Sequence, residues 1–371
     1  MGTITRSIAN NLTTGLGGAG GINFKNIIIN GDMSIAQRGT SQSSITSDGY
    51  YTIDRFLTEL GGSSVWTQSQ ASDAPSGQGF TYSLKMDCTT AQASPANTDI
   101  VLVGQSIEGY NLQKIKQGTP GAEQTTLSFW HKHTKTGTNI VELLDADNSN
   151  AVSGSYTQSV SDTWEKSTIT FPANTSGTYD NDKNRSLRIR FIMSAGSNYT
   201  SGTLATTWQT SITDADRYAG QVNNADNTAN NFIITGVQYE VGDTASDFEF
   251  LPFDVSFTRC QRYYYRQNGE SGFSSGSAFV QDGDVKSYQY HSAPVPMRAQ
   301  VSMSLSNTTG GVIQLDGGQA DNITNIQESR SGAPFKDYTL LIITNGTSIT
   351  DKCGVSIRIN SGQYIEAEAE L

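Results

Sequence analysis

A two-residue period, returning again and again between Thr81 and Val241, constrains this chain more than any other feature. In Ser186-Leu-Arg-Ile-Arg-Phe-Ile-Met193, Leu187, Ile189, Phe191 and Met193 fall on one side, and Arg188 and Arg190 on the other. Successive side chains of a strand point to opposite faces, so such a run offers one face to a core and one to solvent. Thr81–Cys88, Ile100–Ile107, Thr125–His133, Val141–Leu144, Thr163–Phe171 and Phe232–Val241 repeat the theme, with polar turns between them. About ten such strands predict two packed sheets, a jelly roll or sandwich.

Phe232–Val241 reads as the last strand of that sandwich. By simple alternation, Ile233, Val237, Tyr239 and Val241 share one face, and Gln238 and Glu240 the other. Gly236 interrupts the first face, which predicts a bulge or a close backbone approach. A turn over Gly242–Phe250 then leads to Arg259-Cys-Gln-Arg-Tyr-Tyr-Tyr-Arg266 and into a second set of strands. There Phe257–Arg262 is expected as a helical turn, and Val301–Leu305 and Val355–Ile359 alternate. Tyr338–Thr344 is apolar enough for burial on both faces. Ile365-Glu-Ala-Glu-Ala-Glu-Leu371 alternates apolar and acidic residues, as an edge strand guarded against stray pairing would.

Upstream, Ile4, Ile8 and Leu12 form one apolar stripe at helical spacing, followed by a glycine-rich tether. A helix so short is marginal alone. It therefore docks on its own domain, on symmetry mates or on another protein. Ile27–Ile29 and Met33–Ile35 read as short strands around Asn30-Gly31, laid over a sandwich edge. Asn111–Lys116 predicts one or two helical turns. Residues 172–185 and 194–230 lack any period and read as surface loops. The expected organisation is all-β: a docking segment at 1–22, a two-sheet jelly roll at 23–252, and a smaller C-terminal β domain at 253–371.

Charge narrows the partners. The chain has 24 basic and 35 acidic residues, a formal charge of −11. That opposes nucleic acid and anionic bilayers. No apolar run approaches the ~18 residues of a spanning helix. No apolar stretch follows Met1–Arg6, so no signal peptide and no membrane insertion are expected. Cys88, Cys260 and Cys353 are far apart and odd in number, which fits neither a disulfide framework nor a metal knuckle. They read as small buried hydrophobes.

Catalytic constellations are not apparent. There is no nucleophile elbow, P-loop or dinucleotide fingerprint, and no enzyme is expected. His131 and His133 share a strand face, which suits a metal pair or a packed pair. Asp145-Ala-Asp147-Asn148-Ser-Asn150 carries acidic oxygens, so a structural calcium is conceivable there. The EF-loop pattern fails, however, with Ser149 at its fifth position and no glycine after it. No cofactor is expected. The sugar-stacking candidates are the tryptophans Trp66, Trp130, Trp164 and Trp208. Tyr263, Tyr264 and Tyr265, and Tyr288 and Tyr290 beside His291, are further candidates as exposed aromatics. Packing within the fold or at a subunit interface is the alternative role for each.

Three stretches together resemble virion structural proteins of tailed phages that infect marine bacteria, of the tail-fibre, head-fibre or receptor-binding kind. They are Asn26–Gly39; Leu127-Ser-Phe-Trp130 with Thr163-Trp-Glu-Lys166; and Ile234–Gly242 leading to Cys260-Gln-Arg-Tyr263. The likeness covers about residues 24–266, and the ending Ile365–Leu371 is similar too. Two positions depart from that family: His131, where an apolar residue is usual, and Ser246-Asp247-Phe248-Glu249, where a Thr-Pro-Phe-Glu turn is usual. The resemblance implies a carbohydrate-binding-module-like jelly roll on a virion surface appendage, commonly a homotrimer. Its partners would be other virion proteins, through residues 1–22, and host surface polysaccharide. The alternatives are a polysaccharide-cleaving tailspike-type enzyme and a free lectin.

Overall fold

A computed structural model describes residues 24–269, 293–299, 301–306 and 364–371, together with the backbone of the strands between Ser274 and Ile359. Ile4, Ile8, Leu12 and Cys353 lie outside the described residues. Strands β1 (Ser41–Ile45), β2 (Gly49–Tyr50), β3 (Leu57–Leu60), β4 (Val65–Ala71), β5 (Ser83–Thr90), β6 (Ile100–Glu108), β7 (Thr125–His133), β8 (Gly137–Asp145), β9 (Asn150–Gln158), β10 (Glu165–Phe171), β11 (Arg185–Ala195) and β12 (Asn231–Val241) build two antiparallel sheets. The first runs β1-β4-β5-β12-β7-β10 and the second β2-β3-β6-β11-β8-β9. The fold is therefore an all-β sandwich of the jelly-roll type. Leu84, Met86, Leu127, Phe129, Ile234 and Tyr239 of the first sheet meet Val103, Val141, Leu143, Ile189, Phe191 and Met193 of the second in one core. Each such apolar side chain contributes about 1.5–3 kcal/mol on burial.

β12 corrects the simple alternation. Its pairing with β7 slips between Thr235 and Gln238, and Gly236 takes φ +60°. The extra residue inverts the phase of the strand. Phe232 and Ile234 enter the core with Val237 and Tyr239, whereas Ile233 turns to the outer face. A Cβ on Gly236 would stand 2.6 Å from the Phe80 ring, so bulge and close approach coincide.

Residues 26–39 are not strands. Asn30 and Met33 adopt positive φ, and side chains replace the ladder. Asn30 Nδ2 donates to the Ile35 and Asp54 carbonyls, and its Oδ1 accepts from the Ile35 amide. Gln105 of β6 exchanges two hydrogen bonds with Ile29, while the Ile27 amide donates to the Tyr239 carbonyl of β12. The segment thus ties the two sheets together, with Ile27, Ile28 and Met33 in the core.

The segment 196–222 is not a bare surface loop. It lies over the outer face of the second sheet, where Tyr218, Tyr199 and Leu204 pack on Leu102, Ile140 and Ile192. Glu142 accepts there from Arg217 Nε at 2.7 Å, Arg190 Nη1 at 2.9 Å and Tyr218 at 3.1 Å. Burial alone would raise the Glu142 carboxyl; hydrogen bonds from Arg217 and the charge of Arg190 hold it below its usual range.

Past the sandwich, Phe253–Gln261 is a nine-residue helix rather than a turn. β13 (Tyr264–Asn268) follows, then β14 (Ser274–Gln281), β15 (Lys286–Ser292), β16 (Ser302–Leu305), β17 (Gly311–Gln314), β18 (Ala320–Glu328), β19 (Asp337–Thr344), β20 (Gly354–Ile359) and β21 (Tyr364–Glu368). Six of them close a barrel, in the order β14-β15-β19-β18-β17-β20. β21 is no edge: it is the centre of the sheet β13-β21-β16. Its acidic face is also occupied. Glu366 accepts from Tyr264 at 2.6 Å, and Glu370 reaches the buried Arg55 and Arg38 of the sandwich.

Candidate functional site

The two outer faces of the sandwich differ. The second sheet is covered by 196–222; the first is left partly open where β7 and β10 run side by side. On that face Trp130 stands opposite Lys166 and Ser128 opposite Thr168. Among the described residues, cover comes from one side. Phe80, Phe248 and Phe250 form an aromatic triad with ring centroids 4.8–5.1 Å apart, seated on the β12 bulge through Gly236. Between triad and strands opens a cleft of about 320 Å³, lined by Gln78, Phe80, Ser128, Trp130, Lys166, Asp247, Phe248 and Phe250. That volume lies at the small end of ligand clefts.

Local chemistry explains why the cleft persists. Gln238, on the outer face of β12, accepts from the Glu249 amide at 2.8 Å and donates to Glu240, the Ser246 hydroxyl and the Asp247 carbonyl. Glu240 in turn accepts from the Ser246 amide and hydroxyl. These bonds fix residues 246–249, so the triad is held in place without a ligand. Half of Phe250 stays exposed. The walls offer stacking surfaces, one ammonium donor on Lys166, one carboxylate acceptor on Asp247, and the amide of Gln78.

Of the tryptophans, Trp130 alone lines the cleft. Trp164 lies farther along the same face, half-buried, its Nε1 donating to Asp73 Oδ1 at 3.0 Å. Trp208 packs against the main core, and its Nε1 donates to the Pro172 carbonyl at 2.8 Å. Trp66 is a core residue bonded to Ser64. The reading of Tyr263 and Tyr264 as exposed aromatics is corrected: both are buried. Tyr263 lies 3.5 Å beneath the Arg55 guanidinium and Tyr264 3.6 Å beneath that of Arg38. The burial arises because β13 packs against the sandwich. The side chains of Tyr288 and Tyr290, on β15, lie outside the described residues.

His131 and His133 are buried and engaged. His131 bonds Gln158 and Ser167 at 2.8 and 2.9 Å. His133 bonds the Tyr156 hydroxyl at 3.0 Å and stacks on Phe232 at 4.0 Å. Burial pushes both imidazoles below the ordinary 6.5, His133 well below. At the loop considered for calcium, the Asp145 carboxylate accepts from Gln117, Asn148 Nδ2 and the amides of residues 147 and 148. Cys88 and Cys260 are buried and free.

Sequence reasoning passed over Phe80, Gln78, Lys166 and Phe250. The signals were the bulge glycine, which needs a neighbour seated on it, and the departure at Ser246–Glu249, where the cover begins.

No family model and no curated protein matches the chain. Among solved structures it is similar to the enzymatically active domain of tailspike protein 4 of bacteriophage CBA120, with 16% identity and a TM-score of 0.32, over 58% of this chain and 21% of that one. A putative sugar binding protein from Bacteroides thetaiotaomicron shares 11% identity with a TM-score of 0.30, over 58% of this chain and 99% of that one. A family 11 carbohydrate-binding module from Clostridium thermocellum, in complex with a β-1,3-1,4-mixed-linked tetrasaccharide, shares 11% identity with a TM-score of 0.29, over 56% and 99%. None is close enough to carry a function across, and the chain spans about a fifth of the tailspike chain.

Proposed function

We propose that the chain is a non-enzymatic structural protein of a phage particle, a surface appendage that holds host surface glycans in the cleft beside Trp130. The observation that supports this most directly is the asymmetry of the sandwich. One outer face is sealed by 196–222, and the other keeps a preformed cleft walled by Trp130, Phe80 and Phe250 with polar groups between them. Aromatic faces stack on the C–H faces of sugar rings, and nearby donors and acceptors fix the hydroxyls. The virion setting rests on the sequence resemblance, and the homotrimer on that resemblance together with the half-apolar ending Ile365–Leu371; the docking role of Ile4, Ile8 and Leu12 rests on their helically spaced apolar stripe and the glycine-rich tether after it. Among the described residues no helix is long and apolar enough to cross a membrane.

A tailspike-type enzyme is the second reading. Hydrolysis of a glycosidic bond needs two carboxyl groups across the scissile linkage; of the described residues lining this cleft, Asp247 is the one carboxylate. The test pairs binding with turnover. Trp130→Ala should weaken retention by host polysaccharide at least tenfold, about 1.4 kcal/mol, with an unchanged melting curve, and wild type should release no reducing ends. Unchanged retention would move recognition elsewhere, to the Trp164 end of the face or to Tyr288 and Tyr290. Release of reducing ends would establish the enzyme.

A further inference from the structure

We infer that the glycan taken by this face is uncharged, and that Asp247 is the residue that turns acidic glycans away; this rests on the reading of the cleft as a sugar site. Three lysines stand on or beside the outer face of the first sheet: Lys85, Lys132 and Lys166. Lys85 is paired with Asp87 at 2.9 Å, and Lys132 with Asp73 at 2.9 Å and Asp162 at 3.3 Å. Glu240, buried on the same face, is occupied by Gln238 and Ser246. Lys166 and Asp247 both line the cleft and both are exposed. Among the described residues neither forms an ion pair. The face thus sets Asp73, Asp87, Asp162, Glu240 and Asp247 against three ammonium groups.

An acidic polysaccharide would meet one unpaired lysine here and an excess of carboxylates. A like charge at close range opposes binding, and more strongly near a protein surface than in bulk water. The chain's formal charge of −11 adds repulsion at longer range. A neutral pyranose meets no such opposition. Its hydroxyls accept from Lys166, which only donates, and donate to Asp247, which only accepts, while its apolar face lies on Trp130. Asp247 suits a gate because it is exposed beside the triad, and only its carbonyl, not its carboxylate, is tied to Gln238. Its side chain can therefore be changed without disturbing the cover.

The full-length chain would be assayed by affinity electrophoresis and calorimetry at low salt against neutral polymers (β-glucan, mannan, galactan) and acidic ones (polyuronate, sulfated galactan). Wild type should bind at least one neutral polymer and no acidic one. Asp247→Lys should gain acidic-polymer binding of at least tenfold, and added salt should remove that gain. Wild type holding an acidic polymer as tightly as a neutral one overturns the inference. So does an Asp247→Lys variant that keeps its circular dichroism spectrum yet gains nothing. If no polymer of either class binds, and Trp130→Ala equals wild type, the sugar site itself is lost and the inference falls with it. That pattern cannot be mistaken for acidic preference.

Discussion

At single residues, the site depends on groups whose surroundings leave little freedom. Gly236 combines φ +60° with a Phe80 ring 2.6 Å from where a Cβ would stand. Gly236→Ala should cost about 1–3 kcal/mol in urea unfolding and should also weaken glycan retention, since the ring it displaces is a cleft wall. In the fold, burial pushes the titration of His131 below 6.5 and that of His133 well below it. The unfolded chain then binds more protons below that value. Stability is full above about pH 6.5 and falls as pH drops beneath it, by up to ~1.4 kcal/mol per pH unit per group. Asp54 works in the opposite sense. Burial, opposed by hydrogen bonds from Gln37, raises its carboxyl from 3.8 to about 6. The fold therefore gains relative stability as Asp54 protonates below pH 6. Thermal melts from pH 8 to 4.5 should show the histidine loss partly offset. The loss should be shallower in His133→Phe and steeper in Asp54→Asn; identical slopes in all three proteins would refute the assignment.

Among the elements, β21 does what its sequence pattern does not announce. Its Ile365 and Ala367 are buried, as is Ala369 just past its end, and Glu370 beyond it meets Arg55, which is itself fully enclosed above Tyr263. The Arg55 guanidinium also donates to the Ser106 carbonyl at 2.7 Å. An enclosed ion pair need not exceed an apolar pair in stability, but removing one partner leaves a buried charge. Glu370→Gln should therefore destabilise by about 3–5 kcal/mol. Arg55→Met with Glu370→Met should recover much of that, because no charge is stranded. Denaturant unfolding of the single and double variants measures the coupling. Additive losses would show that the pair does not hold β21 to the sandwich.

For the whole molecule, the proposal is a particle-bound, multivalent binder. Weak sugar contacts gain about 10²–10⁴ in avidity when several sites act together. Sedimentation of the purified chain should give a trimer at micromolar concentration; a stable monomer would remove the trimer. Deleting 1–22 should leave the sandwich folded but absent from purified particles, as read by mass spectrometry of virions. Incorporation of the truncated chain would show that Ile4, Ile8 and Leu12 do not dock it.

Period-two runs such as Leu187-Arg-Ile-Arg-Phe determined the all-β sandwich before any coordinate, because side-chain direction along a strand is a local matter of backbone geometry. The same rule marked Gly236 as a break in pattern. It could not show that the break inverts the strand and turns Ile233 outward, since that depends on pairing with β7. Nor could alternation separate a covered face from an open one. Arg188 and Arg190 read as solvent residues on β11, yet Arg190 is buried beneath 196–222 in a network with Glu142 and Glu59. Trp130 was legible as outward-facing; its place in a cleft was not. The cleft is assembled from residues 77–80, 128–130, 166 and 247–250, brought together only when β12, β7 and β10 lie side by side. Tyr263 and Tyr264 looked exposed because a sequence cannot show which strand a distant arginine will cover. Local periodicity decided the elements, and long-range pairing decided which of their faces meet water.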